Sequence, residues 1–354
     1  MNTIDKPSET KEQSPKQSIW KQALAFVFAA FFLWLAFKDA NPQKVWQHMQ
    51  GMNASYLIFL CFTGVLSHLL RAVRWLILLG PLAEGRKLSL WNSFCAVIYG
   101  YAVNVVIPRG GEVARLVSIC KTEKLPWAGV LPTMLIDRLL DIAALVFLIG
   151  LTLSMLPAKI SAEFPWLTDA GRSMAGATII GLLLLPWSGK ILKAIVSMSL
   201  VQNKLPEKIK PKLDELIEQF NTGTRSLSNP LAYPGIALLS VAIWFLYWFN
   251  FYLMFGAFNL LNIVDLKQCL IIFTIGTVGV LVPTPGSVGT FHYFVSEALR
   301  MTLGMDPDQA RAFAAVLHFF TFIVVTIIPA AFCFLIQTQT NKKLKAADSL
   351  GKSE

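Results

Sequence analysis

Charge is scarce in this chain. Asp, Glu, Lys and Arg together make up 15% of the residues and hydrophobic types 55%, with a mean hydropathy of +0.56. Soluble domains carry about 25% charge, so a water-soluble fold is excluded and an integral membrane protein is indicated. Histidine is scarcer still: there are four, of which His48 and His68 stand alone. No HExxH, GxSxG or P-loop pattern occurs, which removes the common signatures of zinc hydrolases, serine hydrolases and nucleotidases. The five cysteines are scattered, mostly within apolar runs, without CxxC or metal-type spacing. They read as small core or lipid-facing residues, and neither a metal nor a cofactor is expected. No small-x-small cleavage site follows the first apolar run. The polar segment 1–22 is therefore read as a disordered cytoplasmic tail ahead of an uncleaved first span.

What the chain does have is long hydrophobic runs. They lie at Ala23–Phe37, Ala54–Leu70, Val130–Leu156, Met174–Trp187, Leu231–Leu261 and Ala312–Ile336, most of them long enough to cross about 30 Å of hydrocarbon as a helix. Two further runs, Leu88–Pro108 and Leu266–Val282, end on Pro/Gly motifs rather than polar loops. The fold class expected is an all-α polytopic membrane protein. Its membrane domain covers 23–337 and includes a cytoplasmic amphipathic loop at 188–230; a basic cytoplasmic tail follows at 338–354.

The distribution of Lys and Arg selects the topology. If all eight runs span, the basic residues divide equally, 15 on each side. If the two Pro/Gly-terminated runs dip in and return, leaving six full spans, the cytoplasmic side holds 23 and the outside 7, as the positive-inside rule requires. Both termini are then cytoplasmic; a version with one re-entrant run stays open. The segment "VNVVIPRGGEV" (103–113) aligns with "VGVLVPTPGSV" (278–288), matching Pro108 with Pro283 and Gly111 with Gly286. In the six-span topology the two copies enter from opposite faces. They form an inverted pseudo-repeat whose broken helices meet near the midplane, as in many transporters.

The chemistry concentrates on the first copy. Glu112 and Arg115 are three apart and share a helix face once the helix resumes. Pro108, Gly110 and Gly111 break the chain just ahead of that helix, leaving backbone amides open to an anion, and Arg109 is placed either to fork a phosphate or to anchor at the interface. The next span carries Asp137, Arg138 and Asp141 in "DRLLD", charges that need partners inside a membrane. The candidate lipid-binding set is Asn104, Arg109, Glu112, Arg115, Arg138, Asp141, His292 and His318. The second break consists of Pro283, Pro285, Gly286 and Gly289. His292 and His318 either satisfy backbone and headgroup atoms or take up a proton during a transport cycle. The loop 190–225 reads as an amphipathic helix for anionic headgroups or as a solvated linker. An anionic membrane lipid is the expected partner, with no nucleic acid; self-association and a cytoplasmic partner at that loop are left open.

At Arg74-Trp75, "NVVIPRGGEVAR", "DRLLD" and "PTPGSVGTFH" the chain resembles the lysylphosphatidylglycerol synthase transmembrane-region family over roughly residues 20–336. The resemblance implies a flippase-like translocator domain, which in the best-known members moves aminoacylated phosphatidylglycerol between leaflets. In those members a separate C-terminal domain synthesises the lipid. The chain ends at Glu354, so a transporter in the bacterial inner membrane, and not an enzyme, is expected. Two positions depart from the family pattern: His292 stands near an acidic residue of the family and His318 near an arginine. Asn104, Pro108, Arg109, Glu112, Arg115, Arg138, Asp141, Pro283 and Gly286 match it better. A membrane-embedded enzyme acting on lipid phosphate and a non-transporting scaffold are the alternatives.

Overall fold

A computed structural model describes residues 16–108, 110–155, 165–184 and 232–350. Among them there are helices and no strands. In chain order these are α1 (Lys16–Phe37), α2 (Pro42–Gln50), α3 (Ala54–Leu79), α4 (Leu90–Val106), α5 (Gly111–Glu123), α6 (Trp127–Ser154), α7 (Pro165–Leu184), α8 (Ala232–Ala257), α9 (Leu266–Leu281), α10 (Thr290–Leu303) and α11 (Pro307–His318). A π-helical turn at Phe319–Val324 joins α11 to α12 (Val325–Leu350). Local chemistry sets the starts. Asn53 accepts the Ser55 amide ahead of α3 at 3.0 Å, Asn41 and Pro42 open α2, and Asp265 and Gln268 cap α9 reciprocally.

Three stretches, Ala54–Ala83, Ala232–Ala257 and Pro307–Gln339, are long and apolar enough to cross a membrane, and α1 with α2 makes a fourth, bent by 80°. The other expected spans are α6, whose hydrophobicity is interrupted by Asp137, Arg138 and Asp141, and α7, which carries Asp169 and Arg172. Large apolar side chains face outward, among them Phe28, Ile58, Phe62, Leu238, Val241, Ile328 and Phe332. That outward surface suits lipid and not water. The first tail was expected through residue 22, whereas α1 begins at Lys16. Arg109 and the loop at 188–230 lie outside the described residues.

Both Pro/Gly runs are hairpins. At the open end of the first, the Glu123 carboxylate at the end of α5 accepts the Ser89 amide (3.2 Å) and the Asn92 side-chain amide (2.6 Å) at the start of α4. The chain therefore leaves by the end at which it entered. α9 and α10 pack in the same manner. The tips meet: Gly286 lies so close to Val105 that a Cβ would come within 3.3 Å of the Val105 carbonyl oxygen.

The two halves correspond element by element. α3 matches α8, the α4–α5 hairpin matches α9–α10, and α6 matches the α11–α12 span. α4 packs on α12 as α9 packs on α6, and α3 packs on the π turn as α8 packs on α6. The buried apolar residues form two clusters, one drawn mostly from each half. The equivalent spans α3 and α8 run antiparallel: Asn53 donates to the Ala257 carbonyl (2.8 Å), Thr63 to Asn250 (2.7 Å) and Arg74 to Ser240 (3.0 Å). Two equivalent membrane-crossing helices that run antiparallel require an axis in the plane of the bilayer, which is the inverted repeat expected from the sequence.

Candidate functional site

The polar centre forms where α3, α5, α6 and α8 converge. Along α3, Ser67, His68, Arg71 and Arg74 follow helical spacing and are all buried. Across from them α6 presents Asp137 and Asp141, one turn apart. Arg71 forks Asp141 through Nη1 at 2.6 Å and Nη2 at 3.3 Å, and also donates to the Tyr247 hydroxyl at 3.2 and 3.1 Å. Arg74 donates to Asp137 Oδ1 from Nε (3.0 Å) and Nη2 (2.7 Å), to Asp141 Oδ1 (2.8 Å) and to Ser240 (3.0 Å). Arg115, from α5, reaches the remaining Asp137 oxygen at 2.8 Å. Its guanidinium lies 3.8 Å from the centre of the Trp75 ring, and Trp75 is held by an indole N–H bond to Thr133 at 3.1 Å. Bidentate and branched pairing of this kind offsets the desolvation that makes isolated charges in a membrane so costly.

Arg138 and Glu112 pair with each other at the edge of this network, and Arg138 Nη1 stands 3.5 Å from Asp141. Their side chains are 35% and 37% exposed, against 0% for Arg74 and Asp137. The cluster thus has a closed interior and one accessible pair. Four arginines face three carboxylates, which leaves one net positive charge. A narrow cleft opens here, with a cavity volume of about 10 Å³, lined by Tyr101, Asn104, Glu112, Arg115 and Arg138 among others. Arg115 is 2% exposed, yet its Nε and Nη2 have no hydrogen-bond partner among the described residues.

Of the expected residues, Glu112, Arg115, Arg138 and Asp141 come together. Asn104 serves the hairpin: its side-chain oxygen accepts the Gly111 amide at 2.8 Å. Gly110 donates to the Ile107 carbonyl at 3.0 Å, so the amides of both glycines are already engaged and are not free to hold an anion. Gly111 is required for a different reason. A Cβ there would collide with the Gly100 carbonyl oxygen on α4, so only glycine lets α5 fold back this closely. Arg138 and Asp141 lie three residues apart on one helix, but their shortest contact is 3.5 Å. Asp141 is held mainly by Arg71 and Arg74, and Arg138 by Glu112.

Arg71, Arg74 and Asp137 belong to the site but were missing from the candidate set. An apolar run ending at Leu70 places Arg71 and Arg74 among the loop charges, whereas α3 continues to Leu79. The signal was present in "RAVRWLILL", which stays apolar beyond both arginines at a spacing of three. Removing Arg71, Arg74 and the buried Arg115 from the loop count leaves the cytoplasmic excess of positive charge intact.

His292 and His318 occupy a second place, the tip of the α9–α10 hairpin, with ring centres 4.5 Å apart. His292 Nδ1 accepts the Gly289 amide at 3.3 Å, and His318 Nε2 meets the Gly286 carbonyl at 2.7 Å. Their ring neighbours are Phe37, Phe291 and Phe322. Pro283 and Pro285 flank the same tip, and Gly286 (φ 54°) and Gly289 (φ 82°) turn it.

Comparison with known proteins agrees with the motifs. The family model described as the lysylphosphatidylglycerol synthase TM region matches residues 22–328. The UPF0104 membrane protein MJ1595 of Methanocaldococcus jannaschii is 21% identical over 338 residues, covering 93% of this chain and 98% of that protein. No solved structure matches. With its inverted hairpins, its buried arginine network and a family match over most of its length, this integral membrane protein belongs to the lysylphosphatidylglycerol synthase transmembrane-region family.

Proposed function

We propose that the chain carries an anionic lipid, a phospholipid or a polyprenyl-linked lipid, between membrane leaflets. The observation that carries this reading is the half-exposed Glu112–Arg138 pair beside the unpartnered Nε and Nη2 of Arg115. A lipid phosphate entering the cleft replaces the Glu112 carboxylate on Arg138 and takes up the spare Arg115 donors. Its single negative charge balances the net positive charge of the cluster. The exchange substitutes one oxyanion for another, so the headgroup is never left without a partner while the tails stay in the bilayer. The two broken hairpins support passage, because their tips interrupt regular helix at the level where the headgroup crosses.

The reading contains no chemical step. Each carboxylate of the cluster is already paired with arginine, which suits binding better than general base work. The Lys and Arg distribution supports an orientation with both termini cytoplasmic and the first hairpin opening from the cytoplasm; a bacterial inner-membrane location rests on the family resemblance. The test is leaflet-to-leaflet movement of a panel of fluorescent lipids in liposomes holding the purified protein. Movement of an anionic lipid is expected. A folded protein that moves none of a broad panel, or that converts a lipid to a new species, contradicts the reading.

A further inference from the structure

The two buried histidines take no part in the arginine network, and their hydrogen bonds define what they can do. A carbonyl oxygen only accepts, so the 2.7 Å contact with Gly286 requires a proton on His318 Nε2. The Gly289 amide only donates, so His292 Nδ1 carries a lone pair and its proton is on Nε2. His292 is therefore neutral in this arrangement, and the His318 bond to Gly286 is compatible with either a neutral or a charged ring. The two rings differ in which nitrogen is left over. His292 has no unused basic nitrogen, since its lone pair holds the tip in the manner of an N3 capping residue. His318 Nδ1 has a lone pair and no partner among its hydrogen bonds.

His318 is buried, which disfavours a charged ring, but two features beside it stabilise an imidazolium. The Phe322 ring stacks on it at 4.7 Å with 14° between planes, and Phe291 lies 5.7 Å away. Aromatic faces attract cations, and the bond to Gly286 strengthens when its donor is charged. The neighbouring elements bring no counter-ion, so the aromatic faces and the Gly286 carbonyl alone offset the cost of burying the charge. α1 contributes Phe37, and α4 contributes Val105 through the tip. On α10, Tyr293 packs against Phe32, and Glu297 pairs with Arg300 farther along. On α11, Arg311 sits two turns before His318 and is paired with Asp308 at 2.9 Å. On α9, Lys267 is at the opposite end from the tip, and α8 and the π turn supply Phe251 and Phe322. Among the described residues no carboxylate reaches within ion-pair distance of either ring.

We propose that His292 and His318 form a single-proton site in which His318 Nδ1 takes the proton and the charged ring clamps the tip of the second hairpin through Gly286. Ring centres 4.5 Å apart exclude a second proton. Because Gly286 packs on Val105, the proton fixes the contact between the two hairpin tips. The site stands independently of lipid movement; its use as a coupling ion in transport rests on the translocation reading.

Hydrogen–deuterium exchange of the peptide covering 283–290, corrected for intrinsic rates, tests the site without any lipid assay. Lowering the pH from about 8 to about 5 should slow exchange of the tip by roughly three- to tenfold, the equivalent of about one net hydrogen bond. His318→Gln keeps a donor for Gly286 and should abolish the response. His292→Asn keeps an acceptor for Gly289 and should retain it. A tip insensitive to pH in the unaltered protein, or an undiminished response in His318→Gln, overturns the proposal. Loss of the response in His292→Asn alone overturns the assignment to His318. Nitrogen-15 histidine spectra of the unaltered protein read the same site without substitution: His318 Nδ1 should gain a proton as the pH falls, and an Nδ1 that stays bare to about pH 5 contradicts it.

Discussion

Replacing Asp137 with Asn tests whether the arginine network is a buried structural centre with one accessible edge. Asp137 is fully buried and bonds Arg74 at 3.0 and 2.7 Å and Arg115 at 2.8 Å, with Arg71 at 3.7 Å. Asparagine preserves the shape but removes the charge, leaving Arg115 without a carboxylate and Arg71 and Arg74 to share Asp141. Removing one partner from a buried ion pair costs about 3–5 kcal/mol. At about 2–4 °C per kcal/mol, thermal unfolding in detergent should fall by roughly 10 °C. Glu112→Gln is the internal comparison. It removes the same charge from a pair whose side chains are 35% and 37% exposed, and exposed pairs contribute about 0–1 kcal/mol. Unfolding followed by tryptophan fluorescence should therefore separate the variants clearly. Equal shifts, or an Asp137→Asn loss below about 1 kcal/mol, would refute the division into a closed interior and an open edge.

Three other outcomes follow from particular contacts. Gly111→Ala drives a methyl group into the Gly100 carbonyl and should destabilise the first hairpin by about 1–3 kcal/mol, read as lower yield of folded protein and faster exchange of its tip amides. Arg311 donates to the carbonyls of Ala36 (2.8 Å) and Asp39 (3.2 Å), so Arg311→Gln should release the α1–α2 joint and raise proteolysis between 37 and 42 by about tenfold or more. Arg71→Lys keeps the charge but loses the fork on Asp141 and the Tyr247 contact; a stability loss near that of Asp137→Asn is expected, and full retention would show that charge alone suffices.

Much of the architecture was legible in the sequence because a bilayer imposes strong rules. Apolar length located the helices, Lys/Arg asymmetry favoured hairpins over spans, and the Pro108/Pro283 register exposed the repeat that the antiparallel α3–α8 pair displays. The site was only partly legible. Arg71 and Arg74 look like the usual end of a span, and only the partners they find on α6 make it possible for α3 to carry them inside. Asn104 resembled a ligand-binding residue in a motif, yet its side chain is engaged by the Gly111 amide, a contact created by the folding-back of α5. His292 and His318 join the arginines in the sequence reading through their place in the second copy of the repeat and their correspondence to family positions. The alignment could not reveal that the second tip binds them separately, because the pairing depends on where α10 and α11 cross.

The measurement closest to the central claim is the rate of leaflet exchange of an anionic phospholipid by the wild-type protein, Arg138→Gln and Glu112→Gln in matched liposomes. Arg138→Gln should slow exchange by about tenfold or more, the loss of one charge-assisted phosphate contact, while remaining as stable as wild type to within about 1 kcal/mol. Glu112→Gln should still bind the lipid, since it removes only the competing carboxylate. Unchanged exchange in folded Arg138→Gln would contradict the account by showing that the headgroup does not pass through this pair.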